Sequence, residues 1–436
     1  MKRLFTALYP VLQAIAMPAC ICFQMSSCDK VSVSDLSPTP MPDSIPVLNS
    51  IPMVYPYQKT GLPVCYINTK DSLGIVSKTD YVEATLSIEQ DGRIIFEDQH
   101  LSIRGRGQAT WSDFPKKPYK LKLSEKNRLF DMAANKHFVL MANYCDKSLM
   151  RTAIGFKIGH LLDVAWTPQY QYVEVVLNGD HIGNYLLVES VRKGKHRINI
   201  DNSGFIIQYI YESRLKHEPY FFVTDRYKAG YGFKYPDEED MTEERINYAT
   251  EILNEFERSL FEPVRPREYA DYIDLESFAK WYYQLNLMMM VECNLYFIKP
   301  DSLRDSRLYM GPLWDFDWSL GVGLYEDEQR SNPNHQIISQ YYFKRLAEDS
   351  LFMEEVAKVH KQYGPVVRTE VLRYFDELRD YLQKSQKLNY QRWDTLNERV
   401  SIGAFPLGSW EAEVACDRQF FIDHYDYIDK YIKNML

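Results

Sequence analysis

Residues 309–321 read YMGPLWDFDWSLG, and the fold expected of the whole chain turns on this stretch. Read as a strand, it sends successive side chains to opposite faces, so Asp315 and Asp317 share one face. Trp314, Phe316 and Trp318 then share the other, which reads as a core face. Two like charges held side by side raise each other's pKa unless a cation or a dense set of donors offsets them. A hard divalent ion such as Mg²⁺ is the usual partner for such oxygens. The alternative is local: Asp317 caps a turn and Asp315 meets an arginine.

The surrounding chain has 436 residues, enough for one large domain or two to three ordinary ones. Its 45% hydrophobic and 25% charged residues are those of an ordinary soluble globular protein. A net charge of −9 argues against a general nucleic-acid binder, so no nucleic-acid partner is expected. At the N-terminus, Lys2 and Arg3 precede a largely apolar run from Leu4 to Met25, broken by Pro10, Gln13 and Pro18. This is the pattern of a secretory signal rather than a stable membrane span. The run ends in Met25-Ser26-Ser27-Cys28, and small residues before a cysteine resemble the lipobox of bacterial lipoproteins, in which that cysteine is acylated. Simple signal-peptidase cleavage is the other reading. Residues 1–27 are expected to leave as the signal, and the mature chain then carries −11, because Lys2 and Arg3 go and no acid does. Residues 28–52 are polar and proline-rich, the composition of a semi-rigid tether. The expected location is the cell envelope or cell surface, with the membrane reached through lipidated Cys28. Cys20 and Cys22 leave with the signal, and Cys65, Cys145, Cys293 and Cys416 stand far apart. Their spacing suggests no zinc site, and disulfide pairing stays open.

Beyond the tether, apolar alternation around Asp91-Gly92 and Asn178-Gly179 predicts two tight hairpins, since both dipeptides tolerate positive φ. HLSIRGRG, KPYKLKL and GFIIQYI read as further strands. DKSLMRTAIGFKIGHLL has helical spacing, with Leu149, Ile154, Ile158 and Leu161 along one side. TEERINYATEILNEFERSL is an amphipathic helix with Thr242 as N-cap. LESFAKWYYQLNLMMM reads as a helix, NLYFIK as a strand, and Met288–Met290 as core filling. From about Asn334 helical stretches dominate. The fold class expected is α+β, β-rich at the N-terminal side and largely helical at the C-terminal side. One domain is expected over residues 53–325, with a helical part, 326–436, packed on it.

Four segments together resemble the spore coat protein H (CotH) kinase family, and in particular its secreted Bacteroidetes-type members with lipoprotein signals. IRGRGQATWSDFPKKPYKLKL is similar to the family's Arg-Gly segment followed by a Lys-Lys-x-Tyr strand. NYCDKSLMRTAI matches its Asp-x-Ser-Leu-x-Arg helix start, VVLNGDHIGNYLLVES its Asn-Gly hairpin and Tyr-x-Leu-x-Glu strand, and GPLWDFDWSLG its Trp-Asp-aromatic-Asp box. The order is the family's, over about residues 101–321. The resemblance implies an atypical protein-kinase-like fold that transfers the γ-phosphate of ATP, with Mg or Mn, to a hydroxyl on a protein acceptor. Such transfer needs cations around the phosphates and a metal fixed by carboxylate and amide oxygens.

By the same resemblance, one of Lys116 and Lys117, in the first place Lys117, contacts the nucleotide phosphates. The pair also reads as a solvated basic edge, since Lys120 and Lys122 follow with strand alternation. Glu189 either holds that lysine by an ion pair or pairs with Arg192. Arg104 reaches phosphate or braces a loop. Asp146 reads as a helix N-cap and Arg151 as a buried brace. Asn294 and Asp315 take the metal positions, with Asp317 binding directly or orienting Asp315. Gly105 and Gly107 read as turn chemistry. The chain departs from the family where an aspartate is expected as catalytic base: LNLMMMVECN has none, and Glu292 is the nearby acid. A pseudokinase, a surface binding module for glycans or envelope partners, and a purely structural lipoprotein are therefore the rival readings.

Overall fold

Two Asx-Gly dipeptides frame the N-terminal sheet. Asp91 and Gly92 take φ of 51° and 78°, and Asn178 and Gly179 take 52° and 80°, the paired positive values of a two-residue hairpin turn. The first joins β2 (Val82–Gln90) to β3 (Arg93–Gly105), and the second joins β6 (Tyr170–Leu177) to β7 (Asp180–Glu189). The computed structural model describes residues 55–290, 295–301, 305, 307–322, 342–400 and 405–435. The expected boundary at 325/326, the signal and the tether lie outside them.

With β1 (Val64–Thr69), β4 (Tyr119–Asn127) and β5 (Asn135–Met141), these strands close into a seven-stranded barrel in the order β1-β2-β3-β4-β5-β7-β6. The seam is a parallel pairing of β1 with β6, Val64 opposite Glu174. Inward residues such as Ile67, Leu86, Ile103, Leu121, Phe138 and Val175 fill the barrel. The outward residues of β5, β6 and β7, among them Val139, Tyr172 and Leu186, belong to a second core shared with the helices.

That core covers a five-stranded sheet ordered β12-β11-β8-β10-β9, from β8 (Phe205–Ile210), β9 (Phe221–Val223), β10 (Gly230–Tyr235), β11 (Tyr296–Lys299) and β12 (Tyr309–Met310). The helices are α1 (Ala109–Ser112), α2 (Arg151–Leu161), α3 (Glu212–Leu215), α4 (Glu243–Phe261), α5 (Leu275–Leu287), α6 (Phe343–Leu346), α7 (Ser350–Leu382), α8 (Ser385–Arg392) and α9 (Trp410–Met435). The fold is α+β. α4 is capped as expected, the Thr242 hydroxyl accepting from Arg245 N at 3.3 Å. Met288, Met289 and Met290 are fully buried core. α2 has no exposed stripe: it is buried on nearly all sides because it lies among β6, α5 and α7. Leu149 stands before that helix, in the left-handed region at φ 62°. Cys65 and Cys145 are buried thiols outside any disulfide, and among the described residues no helix is long and apolar enough to cross a membrane.

The acidic stretch is not a strand. β12 stops at Met310, because Pro312 has no N–H to continue a ladder and Gly311 lies against Tyr296, whose Cβ stands 2.5 Å from where a Gly311 Cβ would sit. Asp315 then takes φ 69°, and Phe316 and Asp317 form a turn. Trp314 and Phe316 are buried against Phe156 of α2, with ring centroids 5.9 and 5.8 Å apart, while Trp318 is half-buried. Phe316 occupies the notch left by Gly155, where a Cβ would stand 2.5 Å from the ring. Alanine is the better helix former by about 1 kcal/mol. Here the clash decides, and overpacking of this kind costs about 1–3 kcal/mol. Gly155→Ala is expected to lower the melting temperature; an unchanged or raised value would show that the loop can move off α2 freely.

Candidate active site

The turn holds its two carboxylates over the segment that starts α2. Asp317 is 8% exposed and its nearest donor is the Thr152 hydroxyl, 3.5 Å from Oδ1. Among the described residues, none donates a hydrogen bond to the Asp315 carboxylate. Burial raises both carboxyl pKa values, that of Asp317 well above the ordinary range. Asp315 and Asp146 push Asp317 further up, against Arg151, whereas Arg106 pulls Asp315 back. The Cys145 thiol, also buried, feels Asp317, Asp315 and Asp146 in the same direction.

Beside the pair stands Arg106, which feels both acids and in turn lies near further cations, Lys120 of β4 and Lys234 of β10. Arg106 follows β3 and lies with its guanidinium 5.6 Å from the Trp314 ring. Arg104 and Lys120 are direct cross-strand partners on β3 and β4. Like charges directly opposite are unfavourable unless something neutralises them. The Lys120 ammonium is pushed down to about 8, first by burial and then by Arg104, Arg192, Lys234 and Arg106. Lys234 of β10 is lowered by burial and by Arg106, with Glu218 opposing. Arg104 lies over the Tyr81 ring at 5.0 Å, and its Nε is buried without a partner. Among the described residues, Arg104, Arg106, Lys120 and Lys234 form no ion pair. Carboxylates and an arginine without ion-pair partners among the described residues thus stand side by side.

Of the two lysines, Lys116 is the buried one. Its Nζ donates to Asn184 O at 2.5 Å and to Asn389 Oδ1 of α8 at 2.8 Å. Burial brings it down to about 7, against the pull of Glu174 and Asp317. Lys117, expected to be the phosphate contact, instead donates to Trp111 O at 2.5 Å and leans on the Trp111 ring. Both lysines precede β4, which starts at Tyr119, so strand alternation does not set their directions. Glu189 meets neither lysine nor Arg192. It accepts from Gln169 N at 3.1 Å, stands 3.6 Å from Arg197 Nε, and lines a separate cavity with Asp131, His160 and His196. Arg192 pairs with Asp237 at 2.6 Å. Arg151 is a buried brace: it donates to Asp417 at 2.8 Å and stands 3.4 Å from Asp146. Asp146 caps the turn by accepting from Ser148 N and Arg151 N. Glu292 and Asn294 lie outside the described residues. Among those described, no third His, Cys, Asp or Glu joins the acidic pair as a metal cluster. The pair itself fits a hard dication, since buried Asp317 and half-buried Asp315 lie in each other's field and are short of donors among the described residues.

The sequence missed Arg106, Lys120 and Lys234 as site residues. The alternation of KPYKLKL carried the signal for Lys120, and Arg106 was in view in RGRG, where the glycines drew the reading.

The elements together describe an α+β protein with two carboxylates on a turn and an arginine, Arg106, beside them. The family model for the CotH kinase protein matches residues 101–435, and the chain belongs to that family. No curated protein matches it.

The buried pair makes the metal-free protein sensitive to pH. Between the ordinary carboxyl value of 3.8 and its raised native pKa, Asp317 holds a proton in the folded state and not in the unfolded one. Stability therefore falls as pH rises through that window. Asp317→Asn is expected to raise the neutral-pH stability of chelator-treated protein by about 1–3 kcal/mol, the usual penalty of an uncompensated buried polar group. It should also flatten the pH slope. A lower melting temperature in chelator would mean that Asp317 is stabilising where it stands.

Proposed function

We propose that the chain is an atypical kinase that transfers the γ-phosphate of ATP, with Mg²⁺ or Mn²⁺, to a hydroxyl on a protein acceptor. A protein-kinase-like arrangement, with the barrel above and the helical part below the cleft, is part of this reading. The observation that supports it best is the pair Asp315 and Asp317 beside Arg106, which stands near Lys120 and Lys234, with Arg104 opposite Lys120; none of them is ion-paired among the described residues. Asp315 and Asp317 would hold the metal, which neutralises phosphate charge and fixes the transferring group. Arg106, between the acids and the rest of the cations, would meet the transferring phosphoryl oxygens. Arg104, Lys120 and Lys234 would take the remaining phosphate charge. Glu292 would accept the acceptor's hydroxyl proton, and Asn294 would complete the metal's oxygens. Lys116 would act indirectly, by pinning the barrel to α8.

A second reading is a pseudokinase, favoured by the absence of an aspartate from LNLMMMVECN. Melting with Mg²⁺ and ATP separates the two. At a ligand concentration about one hundred times Kd, preferential binding to the folded state adds about 2.7 kcal/mol. That gain should vanish in Asp315→Asn, shrink in Lys120→Ala and persist in Lys117→Ala. Phosphoryl transfer that Glu292→Gln stops while the melting shift survives supports the enzyme, and a shift with no transfer in the parent supports the pseudokinase. No nucleotide or metal effect on the parent would refute both.

We further propose that the chain is exported and anchored through an acylated Cys28, on the strength of Met25-Ser26-Ser27-Cys28 before the proline-rich segment. Stable anchoring takes more than one acyl chain. Cys28→Ala should move the protein from the membrane fraction to the soluble or unprocessed one; unchanged fractionation and mature mass would refute the anchor.

A further inference from the structure

Three connections meet at the end of the barrel where β5 begins. Asp131 stands in the turn after β4, in which Met132 N donates to Leu129 O at 3.0 Å. His160 lies in the last turn of α2, and Trp166, Thr167 and Gln169 follow between α2 and β6. Glu189 ends β7. These residues line a cavity of about 500 Å³ that neither Asp315 nor Asp317 borders. Pockets for small ligands run from about 300 to 1,000 Å³. Strand pairing fixes one wall: Glu189 N donates to Gln169 O and Gln169 N to Glu189 Oε2, both at 3.1 Å.

Glu189 is 1% exposed, and its Oε1 is buried without a hydrogen-bond partner among the described residues. Arg197 Nε, 3.6 Å from that oxygen, is likewise unpartnered. Arg197 and the Ala133 backbone ease the carboxylate's charge, but burial outweighs them and raises its pKa. A buried acceptor short of a donor favours a ligand that brings one. Asp131 and Gln169 are exposed, and no described residue bonds their side chains. Half-buried Trp166 adds an indole to the lining. Burial holds the His160 imidazole below its ordinary value, so it brings no positive charge at neutral pH. Two carboxylates therefore oppose an anion. Among the described residues no three His, Cys, Asp or Glu gather to hold a metal ion, and an organic cation at Glu189 would meet the Arg197 guanidinium. The chemistry that fits is uncharged, with hydroxyls that both donate and accept and an apolar face for the indole.

We infer that this cavity binds a saccharide unit, with Glu189 and Asp131 accepting from its hydroxyls, Gln169 and Thr167 exchanging further hydrogen bonds with them, and Trp166 covering its C–H face. The site is independent of phosphoryl transfer. Calorimetric titration of the full chain with the methyl glycosides of glucose, galactose, mannose and N-acetylglucosamine is expected to show saturable binding of at least one. A Kd on the order of 1 mM suits a ligand with about a dozen heavy atoms. Glu189→Gln, which keeps the shape but turns an acceptor into a donor, should weaken binding about tenfold. Trp166→Leu, which keeps apolar bulk but loses the flat face, should do the same, and Asp131→Ala should cost about threefold. The last two keep the test decisive should Glu189→Gln not fold for want of its Arg197 partner. Absence of binding by every glycoside at about 20 mM would overturn the inference. So would binding that all three variants leave unchanged, which would place the sugar elsewhere. Putrescine and inorganic phosphate serve as charged probes: either one binding in the sugars' stead, and lost in these variants, would make this a site for a charged ligand and overturn the inference too. The melting shift with Mg²⁺ and ATP should persist in Trp166→Leu; its absence from the parent would refute the kinase and pseudokinase readings and leave the sugar titration to stand by itself.

Discussion

Phe316 stands in the space that a side chain at residue 155 would fill, and the geometry of the cleft follows from that contact. Once Pro312 has ended the strand, hydrogen bonding no longer dictates the path of the chain. The rings dictate it instead. Phe316 is fully buried and Trp314 nearly so, both against Phe156. Burying one large apolar side chain is worth about 1.5–3 kcal/mol. Holding a non-glycine residue in the left-handed region, as Asp315 is held at φ 69°, costs about 1–3 kcal/mol. Two buried rings cover the strain of one residue, and the Ser319 hydroxyl, donating to Phe316 O at 2.7 Å, helps to hold the turn that presents Asp315 and Asp317.

The charges in the cleft are handled unlike those elsewhere. On the surface of α7, Arg373 pairs with Glu370 and with Glu377 at 2.5 Å, arrangements that add little to stability because water and salt screen them. Lys116 is as buried as any residue in the cleft, yet it is bonded to a carbonyl and an amide oxygen, so its role is to tie β7 to α8. Arg104, Arg106, Lys120 and Lys234 have no such acceptors among the described residues, and Asp315 has no donor. The acids are pushed up, and Arg106, Lys120 and Lys234 down, each by burial first. Groups held this way disfavour the empty site and favour a ligand that brings the missing charge, which is why perturbed groups gather at functional sites.

What the sequence disclosed and what it withheld follow from the range of the interactions involved. Asp91-Gly92, Asn178-Gly179 and the Thr242 cap act over two to four residues, and all three stand as read. The acidic stretch misled because DFDW alternates as a strand would, and Pro312, three residues earlier, was the sole local sign against it. The parallel seam of β1 with β6 joins positions 110 residues apart, Val64 and Glu174, and no local pattern announces it. The same holds for the cations: Arg104 and Lys120 become neighbours only through the register of β3 on β4, and Lys234 arrives from the other sheet. Glu189 found Arg197, eight residues on, because the chain turns back at Gly194 so that Arg197 N reaches Gly194 O.

The helical part is bound to the site by a backbone requirement. Between β5 and α2 the chain is irregular and buried, so its carbonyls at 147, 148 and 149 have no ladder or helix to satisfy them, and a buried polar group left unpaired is costly. Their donors are Tyr390, Trp410 and Tyr172, two of which come from α8 and α9. The same helices supply Asn389 to Lys116 and Asp417 to Arg151, and Trp393 donates to Ile182 O at 3.0 Å. The sequence resemblance ended near residue 321 because the recognisable motifs end there. The family match runs on to residue 435, and the hydrogen bonds give the physical reason: two of the three side chains that bond the carbonyls of the segment before α2 lie in the last fifty residues of the chain.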